Sequence, residues 1–128
     1  MTMSFRTPLK QVRGLGSAKS GTQHWWGQRV TAMAALPLVI ASLGIVVSLV
    51  GADYAMVKER LSYAPVTIIL ALTTLVLLKH MRLGMQVILE DYVHGEKSRI
   101  ACLLLNTFFT YGVGAVAAFA LFKLAFGS

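Results

Sequence analysis

The sequence predicts an all-α integral membrane protein, with three transmembrane helices forming part of a multi-subunit helical bundle. Three observations carry this. The 128-residue chain is 56% hydrophobic and only 13% charged, with a mean hydropathy of +0.68, whereas a soluble domain carries roughly a quarter charged residues. Three long stretches hold no charge at all, and the lysines and arginines gather at their ends.

Residues 1–29 read as a basic arm. Arg6, Lys10, Arg13, Lys19 and Arg29 occur there without a single acid. Its composition resembles a targeting sequence, but no apolar segment with a small-residue cleavage site follows, as a secretory signal requires. Instead the arm runs into Trp25-Trp26, a pair suited to anchoring at the membrane–water interface. The remainder, residues 30–128, is a membrane anchor with spans at about 30–52, 63–89 and 100–122, because some 20 apolar residues cross a bilayer core. Val30 to Ala52, Leu61 to Leu78 and Ile100 to Phe122 contain no charge, and the second helix continues past Lys79 and Arg82 to about Leu89. Each span must close its own backbone hydrogen bonds, so each is a helix.

Orientation follows from the basic residues. The first loop, Asp53 to Arg60, balances two bases against two acids. The second brings Lys97 and Arg99, and the C-terminal tail only Lys123. The arm and second loop therefore lie inside, with the N-terminus cytoplasmic. Topology accounts for most of the +7 net charge, so nucleic acid is not a partner; membrane lipid is. The setting is a bacterial inner membrane, with the mitochondrial inner membrane as the alternative. The lone Cys102 reads as a small packing residue. Gly112, Gly114, Ala115, Ala117 and Ala118 in the third span would let another helix approach closely.

The chemistry concentrates in the second span. Ionisable groups at membrane depth are costly and kept mainly for function. With about 100° per residue, His80, Gly84, Val87 and Asp91 share one face of the helix. His80 and Asp91 are about 16 Å apart along the axis, which puts Asp91-Tyr92 at the inner surface. Gly84 leaves room beside the histidine for a flat ligand. Two readings of His80 follow: a hydrogen bond across helices, or axial ligation of haem iron by a neutral imidazole. Asp91-Tyr92 is either an ordinary helix end with an interfacial tyrosine, or a pair that hydrogen-bonds a quinone carbonyl and supplies protons. Lys79 and Arg82 either snorkel to the interface or pair with haem propionates. Spacing leaves these open.

The segment H-M-R-L-G-M-Q-V-I-L-E-D-Y-V, from His80 to Val93, resembles the second membrane helix of the small cytochrome b membrane anchor subunits of succinate dehydrogenase, respiratory complex II. That family carries H-x-x-x-G-x-x-x-x-x-x-D-Y. The arm is similar as well, with R-T-P-L-K-x-V-R-G-L-G-S-A-K at Arg6 to Lys19 and H-W-W-x-Q-R at His24 to Arg29.

The resemblance implies a cofactor, haem b, shared with a larger cytochrome b anchor subunit, His80 being one axial ligand. It implies that Tyr92 hydrogen-bonds ubiquinone, the substrate, with Asp91 at the same site. Arg29 matches a basic residue near the haem propionates and quinone pocket; His24 belongs to the same area. The further partners implied are an iron–sulfur subunit, which the arm is expected to contact, and a flavoprotein subunit. Such an anchor is not catalytic alone. It serves an enzyme linking succinate oxidation in the tricarboxylic acid cycle to the quinone pool and electron transport. Two rival readings are a haem-free quinone-binding anchor of the fumarate reductase type, and a non-redox bundle such as a small transporter or assembly factor.

Overall fold

The computed structural model describes residues 7–14 and 21–127. Arg6 and Lys19 of the arm lie outside them, as does much of the arm motif. The described residues form five helices and no strand: α1 (Pro8–Val12), α2 (Gly21–Ser48), α3 (Tyr54–Ser62), α4 (Ala64–Tyr92) and α5 (Glu96–Phe126). Three of them, α2, α4 and α5, are long and apolar enough to cross a membrane.

Each long helix runs beyond its charge-free stretch. Helix α2 begins at Gly21, nine residues before Val30, so His24, Trp25, Trp26 and Arg29 are already helical where they lead into the first span. Polar residues do not stop a helix whose backbone bonds are already closed within it. The first loop is also helical in part. Gly51, at φ +82°, turns the chain after α2 in a conformation that suits glycine. Asp53 then caps α3, its carboxylate accepting from the Met56 amide at 2.8 Å. Tyr63 ends α3 and opens α4, and a proline in the first turn of α4 sits where no amide partner is needed.

The three spans form a row and not a closed bundle. Helix α4 packs against α2 on one side and α5 on the other, and among the described residues α2 and α5 do not touch. Short α3 rests across α4 and α5, where the Ser62 hydroxyl lies 2.7 Å from the Lys58 carbonyl of its own helix and 2.8 Å from the Leu124 carbonyl of α5.

A row of three leaves little interior. Among the described residues only Thr31, Val66, Thr73 and Thr110 are buried. Large apolar side chains such as Leu36, Ile40, Leu105, Phe108 and Phe119 stand exposed. Apolar surface on this scale is covered by lipid or by other chains.

Candidate functional site

The seam between α2 and α4 is built on a repeat of four and three. His24, Gln28, Thr31, Ala35, Leu38 and Ser42 fall on one stripe of α2, and each is at least partly buried. Val66, Ile69, Thr73, Val76, His80 and Leu83 answer them on α4. A spacing of 3.5 residues keeps two helices in register along such a seam. The helices run antiparallel: Gly27 meets Leu83, Gln28 meets Gly84, and Thr31 meets His80. The start of α2 therefore lies at the same end as Asp91 and Tyr92.

Glycine lets the backbones approach here. A Cβ on Gly27 would lie 3.2 Å from Leu83 Cδ1, and one on Gly84 would lie 3.3 Å from Gln28 Nε2. The second distance corrects the sequence expectation. The room beside Gly84 is occupied by the Gln28 amide of α2, so it is not free for a flat ligand. Periodicity shows which face Gly84 shares with His80, but not that α2 covers that face.

Six polar side chains punctuate the seam. Thr73 donates to Ile69 O at 2.7 Å and lies 2.8 Å from the Ser42 hydroxyl, tying the helices at mid-span. Pro37 nearby removes one backbone donor from α2. Further along, Thr31 Oγ1 sits 3.0 Å from His80 Nδ1. Thr31 is 6% exposed. Beyond it, His24 Nε2 and Gln28 Oε1 are buried without a hydrogen-bond partner.

His80 thus has one ring nitrogen engaged. Its Nε2 has no hydrogen bond among the described residues, and the residue also lines an apolar hollow with Thr74, Leu77, Leu78 and Met81. Thr31 is the second residue of the charge-free stretch that begins at Val30. His80, level with it, sits at the edge of the apolar zone and not at its centre. That depth explains its neighbours. Lys79 is exposed and near enough to the boundary to reach it. Arg82, on the α5 side of α4, lies over the Tyr111 ring at 5.5 Å.

The other candidates lie apart. Asp91 and Tyr92 end α4 and are exposed, Tyr92 by 76%. Arg29 is exposed and stacks over Trp25 at 5.0 Å. Two residues from Thr31, it faces about 200° away from the seam, so this chain does not bring it to His80. Trp25 and Trp26 meet edge to face, with centroids 5.2 Å apart. No group of three or more His, Cys, Asp or Glu side chains gathers among the described residues.

The seam α4/α5 has a different character. Asn106 Nδ2 donates to the Arg82 carbonyl at 3.1 Å, and Gly114 packs on Leu78, where an added Cβ would lie 3.4 Å away. The small residues of α5 divide between two faces. Gly114 and Ala118 turn towards α4, while Gly112 and Ala117 line a shallow apolar hollow on the outer face.

Sequence reasoning missed Thr31 and passed over Gln28. The signal was available: His24, Gln28 and Thr31 fall at i, i+4 and i+7, one face of a helix.

Comparison with known proteins gives this arrangement its context. Residues 3–114 match the model of the succinate dehydrogenase/fumarate reductase transmembrane subunit family. The chain belongs to that family. It is 30% identical to the succinate dehydrogenase hydrophobic membrane anchor subunit of Paracoccus denitrificans, over 98% of this chain and 97% of that one. It is 38% identical to the succinate dehydrogenase membrane anchor subunit of Reclinomonas americana, over 68% of this chain and 75% of the relative. The corresponding subunit of Rickettsia bellii is 33% identical, over 86% and 88%. No solved structure matches the chain. Three apolar helices and this kinship make it a multi-pass membrane protein.

Proposed function

We propose that this chain is the smaller of two cytochrome b membrane anchors of succinate dehydrogenase. In this reading it binds the iron–sulfur and flavoprotein subunits to the membrane. With a larger cytochrome b anchor it holds haem b and helps form the site where ubiquinone is reduced. The observation that carries the reading is His80. Its Nδ1 is engaged by Thr31, its Nε2 has no hydrogen bond among the described residues, and the residue lines an apolar hollow, which is the state a haem-ligating imidazole needs. One ligand from this chain requires a second from another, and the outer face of the α2–α4–α5 row is apolar enough to receive it.

Haem b, when bound, supplies one-electron transfer. The chain's own residues orient and protonate. The Tyr92 hydroxyl donates a hydrogen bond to a quinone carbonyl, and the Asp91 carboxylate beside it passes protons from the aqueous side towards the reduced oxygen. Both are exposed in the isolated chain, as groups completed by partner subunits should be. Arg29, at the same end of the row, is the cation for the haem propionates or quinone region. We place that end on the cytoplasmic side of a bacterial inner membrane, because Lys97 and Arg99, in the first turn of α5, share it.

Gentle detergent purification of the tagged chain tests this. The expected result is co-purification of a flavoprotein, an iron–sulfur protein and a second anchor, with b-type bands in the reduced-minus-oxidised spectrum. The same soluble partners without b-type bands would mark a haem-free anchor, which the family's inclusion of fumarate reductase subunits makes the second reading. Purification without soluble partners would overturn both.

A further inference from the structure

We infer that Thr31 is a positioning residue for His80: its hydroxyl, anchored on the Gly27 carbonyl, accepts the Nδ1 proton and leaves the Nε2 lone pair free for a metal. The inference rests on the haem reading above and adds to it a residue and a tautomer.

A threonine hydroxyl has one hydrogen to give and lone pairs to receive. Thr31 Oγ1 lies 2.7 Å from Gly27 O, 3.1 Å from Gln28 O and 3.0 Å from His80 Nδ1. The shortest contact is to a carbonyl oxygen, which only accepts. The hydroxyl hydrogen therefore goes to Gly27 O, the common back-bond of a helical threonine. What remains at Oγ1 is a lone pair, and the nitrogen 3.0 Å away must donate to it. His80 then carries its proton on Nδ1, and neutral imidazole has its lone pair on Nε2.

Burial makes the arrangement selective. Thr31 is 6% exposed, so little water is at hand to satisfy Nδ1 in its place. The opposite tautomer would put the Nδ1 lone pair against the Oγ1 lone pairs, unless Thr31 gave up Gly27 O. The same logic recurs at mid-span, where Thr73 donates to Ile69 O and so receives from Ser42. That pair only joins helices, whereas the pair at Thr31 joins a helix to a ring with a second nitrogen left over. Gly27 contributes twice, since its carbonyl holds the hydroxyl and its missing side chain allows α2 to approach Leu83.

The test uses the purified complex carrying Thr31→Val, Thr31→Ser and, as control, His80→Ala. Valine keeps the β-branched shape and removes the hydroxyl; serine keeps the hydroxyl. Three quantities are read: haem transfer to apomyoglobin, haem midpoint potential, and the low-spin ferric EPR signal. The expected result is that Thr31→Val loosens haem about 10- to 100-fold, the range for removing a partner that orients a metal-bound histidine. Its potential and EPR g-values should shift, while Thr31→Ser behaves as wild type. Unchanged potential and g-values in Thr31→Val would overturn the inference, even if haem were lost faster, because that pattern is a packing defect. Equal damage in Thr31→Ser would overturn it too. If His80→Ala keeps its b-type spectrum, the haem reading itself falls and this inference with it. If His80→Ala loses the spectrum and Thr31→Val is unaltered, only the inference on Thr31 falls.

Discussion

The two seams of this three-helix row are built differently. Between α2 and α4 the contact is polar at intervals, with Thr31 on His80, Ser42 on Thr73 and the Gln28 amide over Gly84. Between α4 and α5 it is mostly apolar, with Leu78 on Gly114, one hydrogen bond from the Asn106 side-chain amide to the Arg82 carbonyl, and a hollow lined by Leu75, Ala118 and Phe122. In a bilayer, apolar contact between helices gains little over contact with lipid, so packing and hydrogen bonds decide association. The α4/α5 seam uses packing and sets no side chain to a chemical task. The α2/α4 seam uses directed bonds, and one of them fixes the ring that the proposed function needs. A single helix, α4, thus has one side for holding and one for chemistry.

The largest effect expected is at His80. Replacement by alanine should remove essentially all haem from the complex, read as pyridine haemochrome per flavin, while α4/α5 packing is untouched. Next is Tyr92→Phe, at the exposed end of α4. Loss of the phenol hydroxyl should cost about 1–3 kcal/mol, or roughly 5- to 150-fold in quinone reduction, with succinate–dye activity and haem retained. Normal quinone kinetics would remove Tyr92 from the site.

The seams themselves can be compared with small substitutions on each side of α4. Gly27→Ala crowds Leu83 on the polar side and should destabilise the complex by about 1 kcal/mol. Thr73→Val deletes a cross-helix bond and should cost about 0.6 kcal/mol, the average for such bonds in membranes. Gly114→Ala meets Leu78 at ordinary contact distance and should stay within about 0.5 kcal/mol of wild type. Thermal or denaturant unfolding of the purified complex ranks all three. Equal effects at Gly27 and Gly114 would erase the distinction between the seams.

How much of this was legible in the sequence depends on the signal. The spans were, because a charge-free run of about 18 residues or more has few other uses. The helix starts were not. His24, Gln28 and Arg29 look like the edge of a loop when polarity is the guide, yet α2 runs through them. Helix α3 hid in the same way inside a charged loop, although Asp53 was available as its cap. At the site, periodicity put His80, Gly84 and Asp91 on one face of α4. It could not say what faced them, and the Gln28 amide took the space assigned to a ligand. The pairing of Thr31 with His80 depends on the register of two helices, between residues 49 positions apart in sequence. Register comes from side-chain fit along the seam, which a single helix does not encode.

The most direct measurement of the central claim, that α4 carries two sites which can be broken separately, sets His80→Ala beside Tyr92→Phe. Reduced-minus-oxidised spectra and quinone-reduction rates are recorded on both purified complexes. The account predicts that b-type bands vanish in the first and persist in the second, with quinone reduction slowed in the second. Bands that survive His80→Ala, or that vanish in both, would contradict it.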